Sequence, residues 1–365
     1  MARIKIIIAD TDAAYVSSLG DFLIASYPRV FEVASFSERE YLEQYLTAQE
    51  STGILLITPE MVKPNSANSE LMQILLISTP GIAAPGVRQV FKYLKGPELV
   101  QHILKIYSEC EETITATLSA KKAKVVAVYS PTGGVGKTTL AVGCSLQTAW
   151  EGNSIFYLNL ENMPSTEMFF DSCAGGGLST ALYYLQEKKK NLNLKIAALK
   201  KTDSHSQIHY FTPTDSVLDL WEDLEDALTK LIQLLRDSGS YDYIFVDLSS
   251  QFSANNIAVL EASDVVLLIS TPEPISQLKV KLLQTELTRY KARSNSCILE
   301  RIYLVWNKCE PGSNWDTQVL IGGREPLAKI PKVSGLLLPH GELFRLDLNG
   351  PFGTALYQVR TSFKS

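Results

Sequence analysis

A glycine-rich loop lies between an apolar run and an amphipathic run near the middle of the chain. The apolar run, Val125–Tyr129, has no polar side chain and predicts a buried strand. The loop, SPTGGVGKTT, occupies residues 130–139, and the amphipathic run after it extends to Trp150. A strand, a tight glycine loop and a helix in this order are typical of α/β folds that bind phosphate groups.

The residue types in this loop suit the phosphates of a nucleotide. Its three glycines let the backbone turn tightly and bring N–H groups close to phosphate oxygens, at the positive end of the following helix. Lys137 can reach the β- and γ-phosphates, and the hydroxyl of Thr138 can coordinate Mg²⁺. The predicted nucleotide-binding residues of the loop are Gly133, Gly134, Val135, Gly136, Lys137, Thr138 and Thr139.

Later segments add a resemblance to the MinD/ParA group of P-loop ATPases, which covers the whole second half. Residues 241–247 (YDYIFVD) look like the Walker B strand of that group, which implies that Asp247 holds Mg²⁺ through water. Residues 301–308 (RIYLVWNK) resemble the strand whose asparagine, here Asn307, reads the adenine edge. Pro331 resembles part of the segment that closes over the base. The resemblance therefore implies ATP and Mg²⁺ as cofactors.

The sequence departs from this group at positions that support rapid hydrolysis. Thr132 stands where the group has a signature lysine, which reaches the partner's nucleotide across a dimer. Glu161 replaces an aspartate that helps to position the attacking water, and its side chain is one methylene longer. A positive charge supplied in trans can be worth ~10³–10⁵ in rate, so we expect ATP binding with slow hydrolysis. The predicted catalytic residues are Lys137, Glu161 and Asp247, and the predicted metal ligands are Thr138 and Asp247.

The first half alternates short apolar runs with amphipathic stretches, which predicts five βα units in a small doubly wound parallel sheet. Polar residues follow four of the predicted strands, namely Asp10 with Asp12, Thr58, Thr79 (or Ser78) and Lys95. Their positions resemble those of the conserved polar groups of response-regulator receiver domains. In such domains the place of Thr58 belongs to a phosphoacceptor aspartate. We therefore predict a degenerate receiver that does not accept phosphate.

The predicted fold class is α/β, with two doubly wound parallel-sheet domains. Residues 1–108 form a flavodoxin-like receiver domain, residues 109–123 a linker, and residues 124–365 a P-loop NTPase domain of the MinD/ParA type. A degenerate receiver ahead of such an ATPase resembles the TadZ/CpaE family, which localises the assembly machinery of Tad-type pili. That resemblance implies a nucleotide-switched homodimer, proteins of the Tad pilus and secretion machinery as partners, and a position at a cell pole.

Composition limits the other classes of function. The net charge of −5 lies entirely in residues 1–120, so the ATPase half is neutral and we expect no specific nucleic-acid binding. The apolar runs are too short to cross a bilayer, which predicts a cytoplasmic protein that reaches membranes only through partners. The five cysteines include no Cys-x-x-Cys pair, which disfavours zinc and iron–sulfur sites.

Two alternatives stay open: a partitioning or cell-division positioning ATPase, and a receiver-type signalling module with an ATP-binding effector domain.

Overall fold

The chain divides into two compact units in a computed structural model. The model describes residues 3–28, 30–48, 53–62, 71–79, 88–110, 122–171, 177–189, 191–220, 223–310, 321–341 and 343–362. Unit 1 comprises Met1–Ser119 and Lys189–Ala198, and unit 2 comprises Ala120–Lys188 and Leu199–Ser365. Residues 189–198, which the sequence analysis places in the ATPase domain, thus group with unit 1. Most of the predicted linker, residues 111–121, lies outside the described residues.

Unit 1 contains a five-stranded parallel sheet in the order β2-β1-β3-β4-β5. This is the strand order of flavodoxin-like sheets. The α/β class with a parallel sheet is confirmed, and the assignment as a receiver stays a prediction. The strands are β1 (Ile4–Ala9), β2 (Phe31–Phe36), β3 (Gly53–Ile57), β4 (Leu71–Ile77) and β5 (Gln89–Phe91), and the helices are α1 (Ala13–Ser26), α2 (Arg39–Ala48) and α3 (Gly96–Cys110).

The burial of the central strands of unit 1 agrees with their apolar sequence. Every residue of β3 is buried, and Ile6, Ile7 and Ile8 of β1 have no exposed surface. Apolar side chains on both faces are expected for parallel strands that are covered on both sides. The connections after β3 and β4, where two of the predicted βα units fall, include residues 63–70 and 80–87, which lie outside the described residues.

Unit 2 contains an eight-stranded sheet in the order β13-β12-β11-β6-β10-β7-β9-β8, parallel except for the pair β8–β9. A two-stranded antiparallel hairpin, β14–β15, is separate from it. The strands are β6 (Lys124–Tyr129), β7 (Ile155–Leu160), β8 (Lys201–Thr202), β9 (His209–Tyr210), β10 (Tyr243–Leu248), β11 (Val265–Ser270), β12 (Ile302–Cys309), β13 (Ala328–Pro331), β14 (Leu337–His340) and β15 (Leu343–Leu346).

The helices that follow α3 are α4 (Lys137–Trp150), α5 (Gly177–Gln186), α6 (Leu192–Leu199), α7 (Glu225–Asp237), α8 (Ala254–Ala262), α9 (Pro274–Ser294), α10 (Ile298–Arg301) and α11 (Pro351–Thr361). Most of α6 belongs to unit 1, where Leu194 is part of the apolar core. Within the described part of the chain, no helix combines the length and the apolar character that a membrane span requires.

The strand order of unit 2 determines which loops lie together. β6 pairs with both β10 and β11, and β10 pairs with β7. The carboxyl ends of β6, β7 and β10 are therefore neighbours at one edge of the sheet, which is the edge where α/β folds bind ligands. The glycine loop follows β6, and α4 begins directly after it.

Candidate functional site

The loop between β6 and α4 has a backbone that requires glycine. Gly134 and Gly136 have φ angles of 71° and 95°, in the left-handed region that favours glycine. A Cβ atom on Gly136 would also lie 2.5 Å from Nδ2 of Asn307. A Cβ atom on Gly133 or Gly134 would have no heavy atom within 4 Å, so the outer side of the loop is open. The loop thus has room for phosphate oxygens at the N-terminus of α4.

Lys137 is the first residue of α4, and its side chain is 6% exposed. Its Nζ lies 3.3 Å from Oε1 of Glu161 and donates a hydrogen bond of 2.8 Å to Oγ of Ser250. Glu161 directly follows β7 and Ser250 lies two residues after β10. The ammonium group is therefore held by the loops after two neighbouring strands, and the phosphates of a bound nucleotide would compete with Glu161 for it.

Thr138 and Glu161 are joined as well. Oγ1 of Thr138 donates to Oε2 of Glu161 at 3.1 Å, so this carboxylate contacts the side chains of two consecutive loop residues. The backbone N–H of Glu161 donates to Oδ1 of Asn159 at 2.8 Å, which fixes the start of the loop after β7. The structure thus places Glu161 beside the residues predicted to hold the phosphates and the metal.

Asp247 is a fully buried carboxylate on β10. Its Oδ2 accepts a hydrogen bond of 3.1 Å from the hydroxyl of Tyr157, while its Oδ1 has no hydrogen-bond partner among the described residues. Burial raises the pKa of Asp247 to about 7, and the negative charge of Glu161 contributes to this rise. A buried carboxylate with one unpaired oxygen suits a nearby cation, and oxygen ligands are those that Mg²⁺ prefers. Asp247 and the neighbouring Thr138 therefore fit Mg²⁺.

Asn307 connects β12 to the glycine loop. Its Nδ2 donates to the backbone carbonyl of Val135 at 2.7 Å, and its side chain is buried. The next residue, Lys308, has a left-handed backbone with φ of 56°, and its Nζ donates to the carbonyl of Gly134 at 2.6 Å. Two consecutive residues of β12 thus hold the loop, and the amide oxygen of Asn307 is the atom that would accept a hydrogen bond from an exocyclic amine.

Three other residues singled out in the sequence, Thr132, Thr139 and Pro331, form no hydrogen bond with Lys137, Glu161 or Asp247 within the described part of the chain. Thr139 is half-buried within the first turn of α4. Pro331 is the last residue of the edge strand β13 and lies beside Cys309 of β12. Thr132, at the signature-lysine position, has a buried Oγ1 that finds no partner among the described residues. The roles of Thr139 and Pro331 toward a nucleotide stay predictions.

Sequence reasoning missed three residues of this site, namely Tyr157, Ser250 and Lys308. For Tyr157 a signal was available, because residues at alternate positions of a strand share one face of the sheet. Tyr157 and Asn159 are two residues apart on β7, and Glu161 continues the same spacing. Ser250 carries no comparable signal, since only the pairing of β10 with β6 and β7 brings its loop to Lys137.

Unit 1 has a second cluster of polar side chains, at the carboxyl edge of its own sheet. Nζ of Lys92, which follows β5, lies 2.8 Å from Oδ2 of Asp10, and both side chains are buried. Oδ1 of Asp10 accepts from the backbone N–H of Asp12, whose own side chain caps α1. Oγ1 of Thr58 is buried and has no partner among the described residues. Both carboxylates thus accept hydrogen bonds from groups of unit 1. The lysine that contacts Asp10 is Lys92, whereas the sequence pattern indicates Lys95 for the position after the fifth strand.

Residues 123–299 match the family model of the AAA domain. The matched segment is just under half of the chain. It includes the glycine loop, Glu161 and Asp247, and it ends before Asn307. No curated protein matches the chain.

Several solved structures are similar to about two thirds of the chain. A plasmid partition protein of Borrelia burgdorferi bound to AMPPNP is 18% identical, with 67% of this chain and 99% of that chain covered and a TM-score of 0.49. The MinC:MinD cell division complex of Aquifex aeolicus is 17% identical, with 66% and 96% covered and a TM-score of 0.49. A ParA family ATPase of Chlorobium tepidum is 16% identical, with 67% and 93% covered and a TM-score of 0.49.

Proposed function

We propose that the second half of the chain binds Mg²⁺·ATP as a P-loop ATPase of the ParA/MinD type and uses the nucleotide as a switch. The observation that carries this proposal is the position of Lys137, Thr138 and Asp247 at the carboxyl edge of the sheet, beside an open glycine loop: Lys137 and Thr138 both contact Glu161 after β7, and Asp247 is on β10, between β6 and β7. Lys137 and the loop N–H groups would bind the phosphates, and Thr138 and Asp247 would hold Mg²⁺. When bound, the metal would offset the negative charge of the β- and γ-phosphates.

Hydrolysis is slow in this proposal. Thr132 has no positive charge to offer a second nucleotide, and the carboxylate of Glu161 already contacts Lys137 and Thr138. Water placement by Glu161 therefore requires those contacts to change when nucleotide binds. We expect a turnover well below the ~1–10³ s⁻¹ of typical enzymes.

The base would be adenine. Asn307 is held against the loop through Nδ2, so its amide oxygen has a fixed position relative to the phosphate site. That oxygen can accept a hydrogen bond from the exocyclic amine of adenine, whereas guanine presents a carbonyl acceptor at the corresponding position. Pro331 would cover the base from β13.

The chain would act as a homodimer that positions other proteins. Large apolar side chains are exposed at the carboxyl edge of unit 2: Met163 (83%) in the loop after β7, Phe252 (44%) in the loop after β10, and Ile275 (61%) in the first turn of α9. Exposed apolar groups close to a nucleotide site favour a protein contact there. Because Thr132 replaces the cross-dimer lysine, we expect dimerisation that depends little on ATP. Light scattering that shows a monomer alone and a dimer only with ATP would contradict this.

The cellular role we propose is localisation of the Tad-type pilus and secretion machinery at a cell pole, in the cytoplasm and through protein partners. Support comes from the order of the two units, with a flavodoxin-like sheet ahead of the P-loop unit. The polar cluster of unit 1 is consistent with a fixed docking domain, since Asp10 is already paired with Lys92. Imaging of the tagged protein should show a polar focus that disappears when the pilus genes are deleted.

Calorimetric titration with Mg²⁺·ATP, combined with phosphate release on the same preparation, tests the biochemical proposal. Saturable binding, a preference for ATP over GTP and slow release are expected. No heat of binding, or rapid release by the protein alone, would overturn it. A DNA mobility-shift assay at moderate salt distinguishes the alternative of a partition protein, because only that role predicts a shifted band.

A further inference from the structure

Tyr157 contacts the predicted metal ligand from the neighbouring strand. In the pairing of β7 with β10, Tyr157 lies opposite Phe245 and Asn159 lies opposite Asp247. Tyr157 and Asp247 are thus diagonal neighbours, a distance that an aromatic side chain can span. The tyrosine is 1% exposed, and its hydroxyl lies 3.1 Å from Oδ2 of Asp247.

The direction of this hydrogen bond is fixed by a short chain of partners. The N–H of Glu161 donates to Oδ1 of Asn159, and Nδ2 of Asn159 donates to the hydroxyl oxygen of Tyr157 at 3.3 Å. The tyrosine oxygen therefore acts as an acceptor toward Asn159, and its proton is left for Asp247.

The two oxygens of Asp247 are consequently different. Oδ2 has a donor, while Oδ1 is buried and has no hydrogen-bond partner among the described residues. A carboxylate that is held at one oxygen cannot rotate freely about its terminal bond, so the other oxygen keeps a constant direction. Groups that hold a metal ligand in this way tune metal affinity although they do not touch the metal.

We propose that Tyr157 is a positioning residue for the Mg²⁺ site. Its hydroxyl donates to Oδ2 of Asp247 and so keeps Oδ1 available to the hydrated metal. The inference rests on the proposed function, since it concerns the same nucleotide site. It predicts that the hydroxyl of Tyr157 contributes to the affinity for ATP only when Mg²⁺ is present.

A matched control is available on the next strand. Tyr210 of β9 lies opposite Tyr157 in the register and is equally buried, and both rings pack against Phe170. The hydroxyl of Tyr210 donates to the backbone carbonyl of Asp171 instead of to Asp247. Tyr210→Phe therefore removes a buried hydroxyl from the same aromatic cluster without changing the partners of Asp247.

The experiment measures ATP affinity by calorimetry with excess Mg²⁺ and with EDTA, for the wild type, Tyr157→Phe and Tyr210→Phe. The ratio of the two dissociation constants gives the gain due to the metal. Tyr157→Phe should reduce this gain about 10-fold or more, the size expected for groups that hold metal ligands. The affinity in EDTA should be unchanged, and Tyr210→Phe should keep the full gain.

The Asp247→Asn background tests whether Tyr157 acts through the carboxylate. In that background Tyr157→Phe should cause no further loss of the Mg²⁺-dependent gain in ATP affinity, because each variant already removes the hydrogen bond between the Tyr157 hydroxyl and the Asp247 carboxylate. Equal gains in the wild type and Tyr157→Phe, or equal losses in both tyrosine variants, would overturn the inference. Failure of the wild type to bind Mg²⁺·ATP would instead overturn the proposed function.

Discussion

Asp247→Asn should stabilise the nucleotide-free protein at neutral and alkaline pH, although it removes a residue that the proposed function needs. Asp247 is fully buried, and Oδ1 has no partner among the described residues. Desolvation disfavours the charged form of such a group, and the nearby charge of Glu161 adds to this effect. Asparagine has nearly the same shape and no charge, so it removes the cost while its oxygen can still accept from Tyr157.

The magnitude follows from the pKa of Asp247, which burial raises from 3.8 to about 7. Between these pH values the unfolded chain has lost this proton while the folded protein retains it. The free energy of unfolding therefore falls as pH rises from about 4, and the full loss is present above pH about 7. A shift of about 3 pH units at 1.36 kcal/mol each amounts to about 4 kcal/mol. Asp247→Asn should lack this pH-dependent loss.

Urea unfolding of both proteins between pH 4 and pH 8 measures this difference. All four tryptophans of the chain come after residue 149, and Trp150 and Trp306 lie in unit 2, so tryptophan fluorescence follows the unit that contains Asp247. The variant should gain stability over the wild type as pH increases, by up to about 4 kcal/mol. Saturating Mg²⁺·ATP should reverse the order, because a ligand that binds only the folded state stabilises it by an amount that increases with the logarithm of its affinity.

An exposed carboxylate provides the control. Glu325 is exposed, and Glu325→Gln removes one negative charge without a change in the buried site. Its unfolding free energy should follow the wild type at every pH. The reasoning is refuted if the difference between Asp247→Asn and the wild type is the same at pH 4 and pH 8, or if Glu325→Gln shows the same pH dependence.

Other expected outcomes concern the two polar clusters. Lys137→Ala should abolish ATP binding in calorimetry while circular dichroism stays native, because no other buried ammonium is joined to Glu161 and Ser250 among the described residues; unchanged affinity would contradict the phosphate role. Glu161→Gln should keep ATP binding but lose residual phosphate release, and a normal release rate would exclude a role in water placement. Incubation of the full chain with acetyl phosphate should leave its intact mass unchanged, since Thr58 occupies the phosphoacceptor place; a phosphate adduct within residues 1–108 would refute this.

The proposed nucleotide site was predictable from the sequence where its chemistry depends on neighbouring residues. The turn of the glycine loop depends on φ angles that glycine adopts easily, and α4 follows it directly in the sequence. The apolar run Val125–Tyr129 predicted β6, because a strand covered on both faces needs apolar side chains throughout, whereas β10 was predicted by its resemblance to a Walker B strand. Lys137, Thr138 and Asp247 could therefore be selected before any fold was known.

Two other features depend on contacts between segments that are distant in the sequence. Lys92 contacts Asp10 because β5 ends at Phe91, and a sequence pattern does not determine a strand end to within three residues. Residues 189–198 joined unit 1 since the side chain of Leu194 is buried in the core of that unit.

Local sequence was thus enough to select the residues proposed to bind phosphate and metal, because loop conformation and side-chain chemistry depend on near neighbours. The side chains that hold those residues in place could be found only from the fold of the sheet. Tyr157 and Ser250 reach Asp247 and Lys137 through the order β6-β10-β7, which brings together segments about 90 to 113 residues apart in the chain. Contacts of that separation arise from packing of the whole sheet, and no local pattern in the sequence encodes them.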